Sequence, residues 1–232
     1  MSGDHNTTTG NVLIMCGAVY SYFNKYDIVA SLVNDGDDCV IICERKYERL
    51  ILNTLPSFFA ELGFTMVVEK PVYVFERIEF CQAQPILTKD GTYRLVRSIC
   101  KSMSKDSVSL FPFEGKGAQK WMSAVGQGGV ALASGIPVVQ EYYACLHRNA
   151  RGATPLSHPT LVTGLFYCRQ GMTGHYEDVT DETRLSFYLA FGVTPSEQLA
   201  TEEYFRTLEL TEGSLANRFA ILPLANGGRT TV

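Results

Sequence analysis

The chain has 232 residues, 46% of them hydrophobic and 19% charged, with 20 lysines and arginines against 24 aspartates and glutamates and a formal net charge of -4. This is a globular composition, long enough for one large domain or two small ones. No run of 18 apolar residues exists, which excludes a membrane-spanning helix, and the acidic balance argues against a surface that binds nucleic acid everywhere.

In chain order, residues 1–10 (MSGDHNTTTG) begin as a polar, acidic loop, unlike a secretory or mitochondrial targeting signal. From Thr7 to Phe23 the spacing of Val12, Leu13, Cys16, Val19, Tyr20 and Phe23 predicts a helix with one apolar face. Ile28–Val33 and Cys39–Cys43 are short apolar runs broken by Asp35-Gly36, the pattern of two buried strands and a tight turn. A helix follows through Leu50, Ile51, Leu55, Phe58, Phe59 and Leu62, with Pro56 expected to kink or split it and Gly63 to cap it. Short strands are expected at Thr65–Val68, Val72–Phe75 and Ile78–Gln82, the last ending before Pro85.

After residue 92 the pattern turns to helices and turns. The stretches YRLVRSICKSMSK, KGAQKWMSAVGQ and IPVVQEYYACLHRNA each predict a helix, the third with Pro137 in its first turn. GATPLSHPT reads as a loop. Thr194 and Glu197 form the signature of a capping box, and the tail ANGGRTTV is expected to fray. The organisation expected is an α+β part over 1–92 followed by a mostly helical part over 93–232.

Charge is unevenly distributed. Between residues 88 and 122, Lys89, Arg94, Arg97, Lys101, Lys105, Lys116 and Lys120 face only Asp90, Asp106 and Glu114. On a single helix Arg94, Arg97, Lys101 and Lys105 would form one basic stripe, suited to an RNA backbone or simply to solvent. The seven cysteines include no C-x-x-C pair, consistent with free thiols in a reducing compartment. The spacing of Cys145, His147, His158 and Cys168 matches no common zinc pattern.

The most informative stretch is NDGDDC, where Asp35, Asp37 and Asp38 crowd one turn. A plain reading is a solvated Asp-Gly turn. A sharper one is a carboxylate site for Mg²⁺, a hard cation that shares its remaining positions with phosphates and water. Thr7 and Asn11, four apart, share a helix face and with Ser2 make a polar cluster able to bond a ribose hydroxyl. An ordinary polar helix start is the alternative.

Ser2-Gly3, Thr7 and Asn11, followed by Gly36-Asp37-Asp38, resemble motifs B and C of the RNA-dependent RNA polymerases of positive-strand RNA viruses. GFTM at 63–66 and Phe80-Cys81-Gln82-Ala83-Gln84-Pro85 resemble motifs D and E of the tombusvirus-like members. The resemblance covers 1–92 in detail and implies a partial palm, of antiparallel strands with helices, followed by a helical thumb. It assigns Asp37 and Asp38 to the metal (Mg²⁺, with Mn²⁺ as substitute), and Ser2, Thr7 and Asn11 to the incoming nucleoside triphosphate. Gly3 is given loop flexibility, and Phe80, Cys81 and Gln82 the grip on nascent RNA. Lys70 falls where some members place a general acid for pyrophosphate.

Such polymerases also need an earlier aspartate motif and basic fingers ahead of motif B. The chain is therefore expected to be a carboxy-terminal piece, inactive alone, with an exposed palm edge. Its expected partners are template and nascent RNA, nucleoside triphosphates and other viral replicase chains. Its expected location is host cytoplasm, at membranes reached through parts of the protein outside this sequence. The rival expectation is a non-catalytic RNA-binding or replicase-assembly module.

Overall fold

The computed structural model describes residues 7–109, 115–157, 169, 171, 172 and 174–210. The fold is α+β, with two separate two-stranded antiparallel sheets among helices. The chain divides into two compact units, 1–82 and 83–232.

The first unit begins with α1 (Thr7–Tyr26), ended by Asp27 in the left-handed region (φ 52°) and an Ile28 N–H donated to the Phe23 carbonyl at 2.9 Å. β1 (Ala30–Asp35) and β2 (Asp38–Cys43) follow as a hairpin, and α2 (Glu48–Glu61) runs unbroken through Pro56. Gly63 (φ 84°) then turns the chain out of α2. Val19, Tyr22 and Phe23 of α1 meet Ile51, Leu55, Phe58 and Phe59 of α2 in one core. The Tyr22 ring lies edge-on to Phe58 at 5.3 Å, and its hydroxyl is 2.7 Å from that of Thr54. Leu13 and Tyr20, expected on the apolar face of α1, are instead 67% and 51% exposed. Val19 and Phe23 are buried as the apolar pattern predicts, while Tyr22, with Met15, Ala18 and Tyr26 packed beside it, widens the buried face on the side away from Leu13 and Tyr20.

Two expected strands are not formed. Thr65–Val68 and Val72–Phe75 contain no strand, and Phe75–Arg77 is a short 3₁₀ turn. The alternation at 66–68 reflects one-sided packing, because Met66 and Val68 pack against the core while Val67 stays exposed. Ile78–Gln82 is also not a strand. Cys81 and Gln82 have positive φ (51° and 61°), a conformation that breaks a strand.

The second unit opens with β3 (Ala83–Leu87) and β4 (Tyr93–Arg97), paired from Ala83↔Arg97 to Leu87↔Tyr93. Pro85 lies inside β3, as a strand with a free edge permits. This hairpin spans position 92, so the compact units part earlier, between Gln82 and Ala83. The helix expected across 93–105 is divided: Tyr93–Arg97 is strand, and α3 (Ile99–Asp106) starts after Ser98, whose side chain caps the Lys101 N–H. Its alternating start, YRLVR, obeys the strand period, and Ser98 marks the helix entry.

The β3–β4 turn is held by Asp90, whose carboxylate accepts from the Thr88 hydroxyl (2.5 Å), the Thr92 hydroxyl (2.8 Å) and the Thr92 N–H (3.1 Å). These bonds, the Thr88 hydroxyl foremost, pull its pKa down to about 2. A depressed carboxylate stabilises the fold above its unfolded pKa of about 3.9 and loses that contribution as the pH falls towards the folded value. In an acid titration followed by NMR, Asp90 is expected to protonate near the low end of the carboxylates. Asp90→Ala is expected to lower the melting temperature at pH 7 and to remove this part of the acid sensitivity.

α4 (Lys116–Ala133) and α5 (Val139–Asn149) cross closely at glycines. A Cβ on Gly129 would sit 1.9 Å from the Tyr143 ring, and one on Gly126 would sit 2.5 Å from the His147 backbone nitrogen. The chain enters α5 through Val138, at φ 64°, so Pro137 stands before the helix rather than in its first turn. α6 (Asp181–Phe191) and α7 (Pro195–Thr207) belong to the same unit, α7 with the expected Thr194–Glu197 capping box. Ile86, Val96, Trp121, Tyr142, Leu146, Phe187 and Phe205 share its core. The expected loop has no helix or strand over 152–157, where the Leu156 N–H is donated to the Lys120 carbonyl at 2.9 Å, while 158–160 and the tail at 225–232 lie outside the described residues. No described helix is long and apolar enough to cross a membrane.

Candidate functional site

The β1–β2 register ends on the pair Asp35↔Asp38, leaving Gly36 and Asp37 as the two turn residues. Gly36 has φ 71°, whereas Asp37 is not in the left-handed region. A positive φ at the first turn position alone is the pattern in which glycine leads the turn and the strands keep their twist. The turn pair is thus Gly36-Asp37 rather than Asp35-Gly36. The strands are half-buried rather than fully buried, and Asp35, Asp37 and Asp38 are all exposed.

Asn34 braces this tip. Its side-chain amide donates to the Gly36 carbonyl at 3.0 Å and to the Asp38 carbonyl at 3.1 Å. α1 passes alongside: a Cβ on Gly36 would lie 3.9 Å from the Cβ of Asn11, and the Cys16 thiol faces the Asn34 carboxamide oxygen at 3.9 Å. Thr7 stands one helical turn before Asn11. On another side, the Cys81 thiol donates to an Asp35 carboxylate oxygen at 3.5 Å. Burial, followed by the Asp35 and Asp38 carboxylates, pushes the Cys81 pKa up to about 11. At neutral pH this group is a thiol donor rather than a nucleophile.

Asn11, the acidic tip and Cys81 are therefore gathered in one compact unit. No lysine, arginine or histidine pairs with Asp35, Asp37 or Asp38 among the described residues. Exposed carboxylates without a cationic partner are a suitable donor set for a hard divalent ion. Among the described residues no group of three or more His, Cys, Asp or Glu gathers as a full ligand set. Ser2 and Gly3 lie outside the described residues, as do His158 and Cys168.

Lys70 is exposed in an irregular stretch and forms no ion pair with the tip among the described residues. Phe80 is half-buried, and Gln82 is exposed. The basic stripe does not exist as one helix face. Arg94 and Arg97, three apart on β4, point to opposite faces of the strand. The Arg94 guanidinium donates to the Ser134 carbonyl at 3.0 Å, and that of Arg97 lies 3.7 Å from Asp106. Lys101 and Lys105 alone share a helical face, on α3.

Two contacts at the tip escape sequence reasoning. The tie from Cys81 to Asp35 is long-range and has no local signature. The Asn34 brace does have one, because an Asn just before a turn commonly bonds its own backbone a few residues on.

The family described as viral RNA dependent RNA polymerase matches residues 1–213. The RNA-directed RNA polymerase of tobacco necrosis virus (strain A) is 43% identical over 213 residues, covering 90% of this chain and 29% of that protein. That of cucumber necrosis virus is 44% identical over 207 residues, covering 88% and 25%. That of Panicum mosaic virus is 40% identical over 215 residues, covering 90% and 22%. The chain thus spans less than a third of the length of these curated relatives.

Proposed function

The chain belongs to the viral RNA-dependent RNA polymerase family, and from that premise we propose that it carries part of the catalytic centre for RNA-directed RNA synthesis. The observation that supports this most is the bare acidic tip, Gly36-Asp37-Asp38, standing beside Asn11 of α1. In this reading 1–92 holds the palm elements and the helices within 93–232 form the thumb.

Asp37 is the main carboxylate for Mg²⁺ and Asp38 its helper. A divalent ion held there would supply positive charge to the oxygens of an RNA 3′-hydroxyl and of the triphosphate. Asn11 and Thr7 present polar groups to the nucleotide's ribose, with Ser2 assisting and Gly3 giving the loop its freedom. Cys81, with Phe80 and Gln82, lines the path of the nascent strand. A further aspartate, supplied by a segment other than this chain, completes the metal site, so the chain alone is inactive. Lys70 as general acid, and Lys101 and Lys105 as contacts to the RNA backbone, belong to the same proposal. Arg94 and Arg97 contribute less there, because their guanidinium groups already serve Ser134 and Asp106. Replication at host cytoplasmic membranes, with other replicase chains, completes the reading.

The test is incorporation of labelled nucleotides on an RNA template by a polymerase carrying this sequence. Asn11→Ala is expected to reduce the preference for ribo- over deoxyribonucleotides roughly tenfold, the worth of about one hydrogen bond. An unchanged preference would remove Asn11 from sugar recognition. No incorporation by the unmutated sequence, with RNA binding intact, would favour an RNA-binding module.

A further inference from the structure

We propose that Asn34 is the positioning residue of the acidic tip, its carboxamide clamping the turn so that Asp37 and Asp38 meet the metal as a fixed pair. The proposal rests on the reading of these aspartates as metal ligands. The strand ladder reaches only as far as Asp35↔Asp38, so it leaves Gly36 and Asp37 without a ladder bond of their own. Asn34 spans that gap, with its amide nitrogen 3.0 Å from the Gly36 carbonyl and 3.1 Å from the Asp38 carbonyl.

An amide nitrogen carries two hydrogens, and both are used here. The clamp has a chemical consequence beyond stiffness. Backbone carbonyls are themselves hard oxygen donors, as suitable for a divalent cation as carboxylates. The Gly36 and Asp38 carbonyls are engaged by Asn34, while the Asp35, Asp37 and Asp38 side chains stay exposed at the tip. The carboxamide oxygen faces Cys16 at 3.9 Å, on the helix that carries Thr7 and Asn11. One side chain therefore links the metal-binding turn to the helix proposed to read the sugar. Outer residues that orient metal ligands typically change affinity by about tenfold or more when removed.

The test uses the 232-residue chain and Mn²⁺ alone. Binding is read from the EPR signal of free Mn²⁺ and from paramagnetic broadening of the backbone amides at 35–38. The unmutated chain is expected to bind weakly and to broaden those amides, and Asn34→Ala to raise the Kd roughly tenfold. Asn34→Asp is the separating variant, since it keeps the shape, loses both donors and adds a negative charge. Weaker binding than the unmutated chain supports the clamp, because added charge alone would strengthen binding. Tighter binding by Asn34→Asp, or an unchanged Kd for Asn34→Ala, overturns it. Circular dichroism on each variant confirms that the fold is kept. Asp37→Asn separates this proposal from the reading beneath it. If that substitution leaves Mn²⁺ binding and broadening unmoved, the aspartates are not the ligands and both ideas fail. If it abolishes binding while Asn34→Ala does not weaken it, only the clamp fails.

Discussion

Asp37→Asn is expected to lower RNA-directed incorporation by at least roughly a thousandfold in a polymerase carrying this sequence, about 4 kcal/mol of transition-state stabilisation. The substitution preserves size and shape at the tip of the β1–β2 hairpin and removes one negative charge. Asp37 is exposed and pairs with no basic side chain among the described residues, so its charge has no structural partner to lose. Its neighbours Asp35 and Asp38 are both acidic, and like charges this close repel. The variant should therefore melt at the same temperature as the unmutated chain or slightly above it. RNA affinity should change by no more than about twofold, because the phosphate contacts proposed above are assigned to basic residues elsewhere. Lost synthesis with retained or improved stability is the signature of a group kept for chemistry at some expense to the fold. A lowered melting point, or synthesis within tenfold of the original, would contradict that assignment.

The largest expected effect on stability lies in the second unit. Glu202 of α7 is 1% exposed and holds Arg184 of α6 through two bonds, 2.8 Å to one carboxylate oxygen and 3.0 Å to the other. The same carboxylate accepts the Val138 N–H at 3.0 Å and lies 3.5 Å from Arg206. Val138 is β-branched and sits at φ 64°, a conformation that costs about 1–3 kcal/mol and persists only when its surroundings impose it. Glu202→Ala would leave the Arg184 guanidinium largely buried without its carboxylate and would release the amide that anchors Val138. The expected loss is about 3–5 kcal/mol, the range for removing one partner of a buried pair. Urea denaturation of the two proteins reads it directly. Glu202→Gln should fall between them, since it keeps an oxygen for Val138 but not the charge for Arg184. A loss under about 1 kcal/mol for Glu202→Ala would mean that water or a side-chain shift replaces the pair.

Arg206 extends the same network to Glu141, donating at 2.7 Å, and Glu141 also accepts from the Tyr176 hydroxyl. Side chains from α5, α6 and α7 thus meet around two buried glutamates. Nothing in their sequence spacing announces this, because Glu141 and Glu202 are separated by 61 positions that pair only in the folded unit.

The comparison of pattern with fold follows the same line. A Thr followed three residues later by Glu predicts a capping box, and Thr194 and Glu197 form one. Two apolar runs around an Asp-Gly turn predict a hairpin, and Ala30–Cys43 is one. Each of these depends on residues within a few positions of one another, so the pattern carries the whole interaction. The helix expected over 93–105 failed for a local reason too: Ser98 is an entry signal, and YRLVR alternates with the strand period. The strands expected near 65–75 failed for a non-local one, since an apolar alternation becomes a strand only where another strand is available to pair with it.

Capping residues and apolar spacing along the chain were sufficient to place the helices around Thr7, Leu50 and Pro195, the crowding of Asp35, Asp37 and Asp38 marked the turn to watch, and the family resemblance chose Asp37 and Asp38 within it. Motif order pointed to the polymerase family, because its residue types recur in sequence regardless of how the chain packs. Packing assigned what lies between segments: Asn11 against Gly36, Cys81 against Asp35, and the exit of Arg94 and Arg97 from any common helix face. It also chose Val138's left-handed backbone and the carboxylate that sustains it. Those features depend on distances between residues far apart in the chain, and such distances come into being only when burial of the two cores brings the segments together.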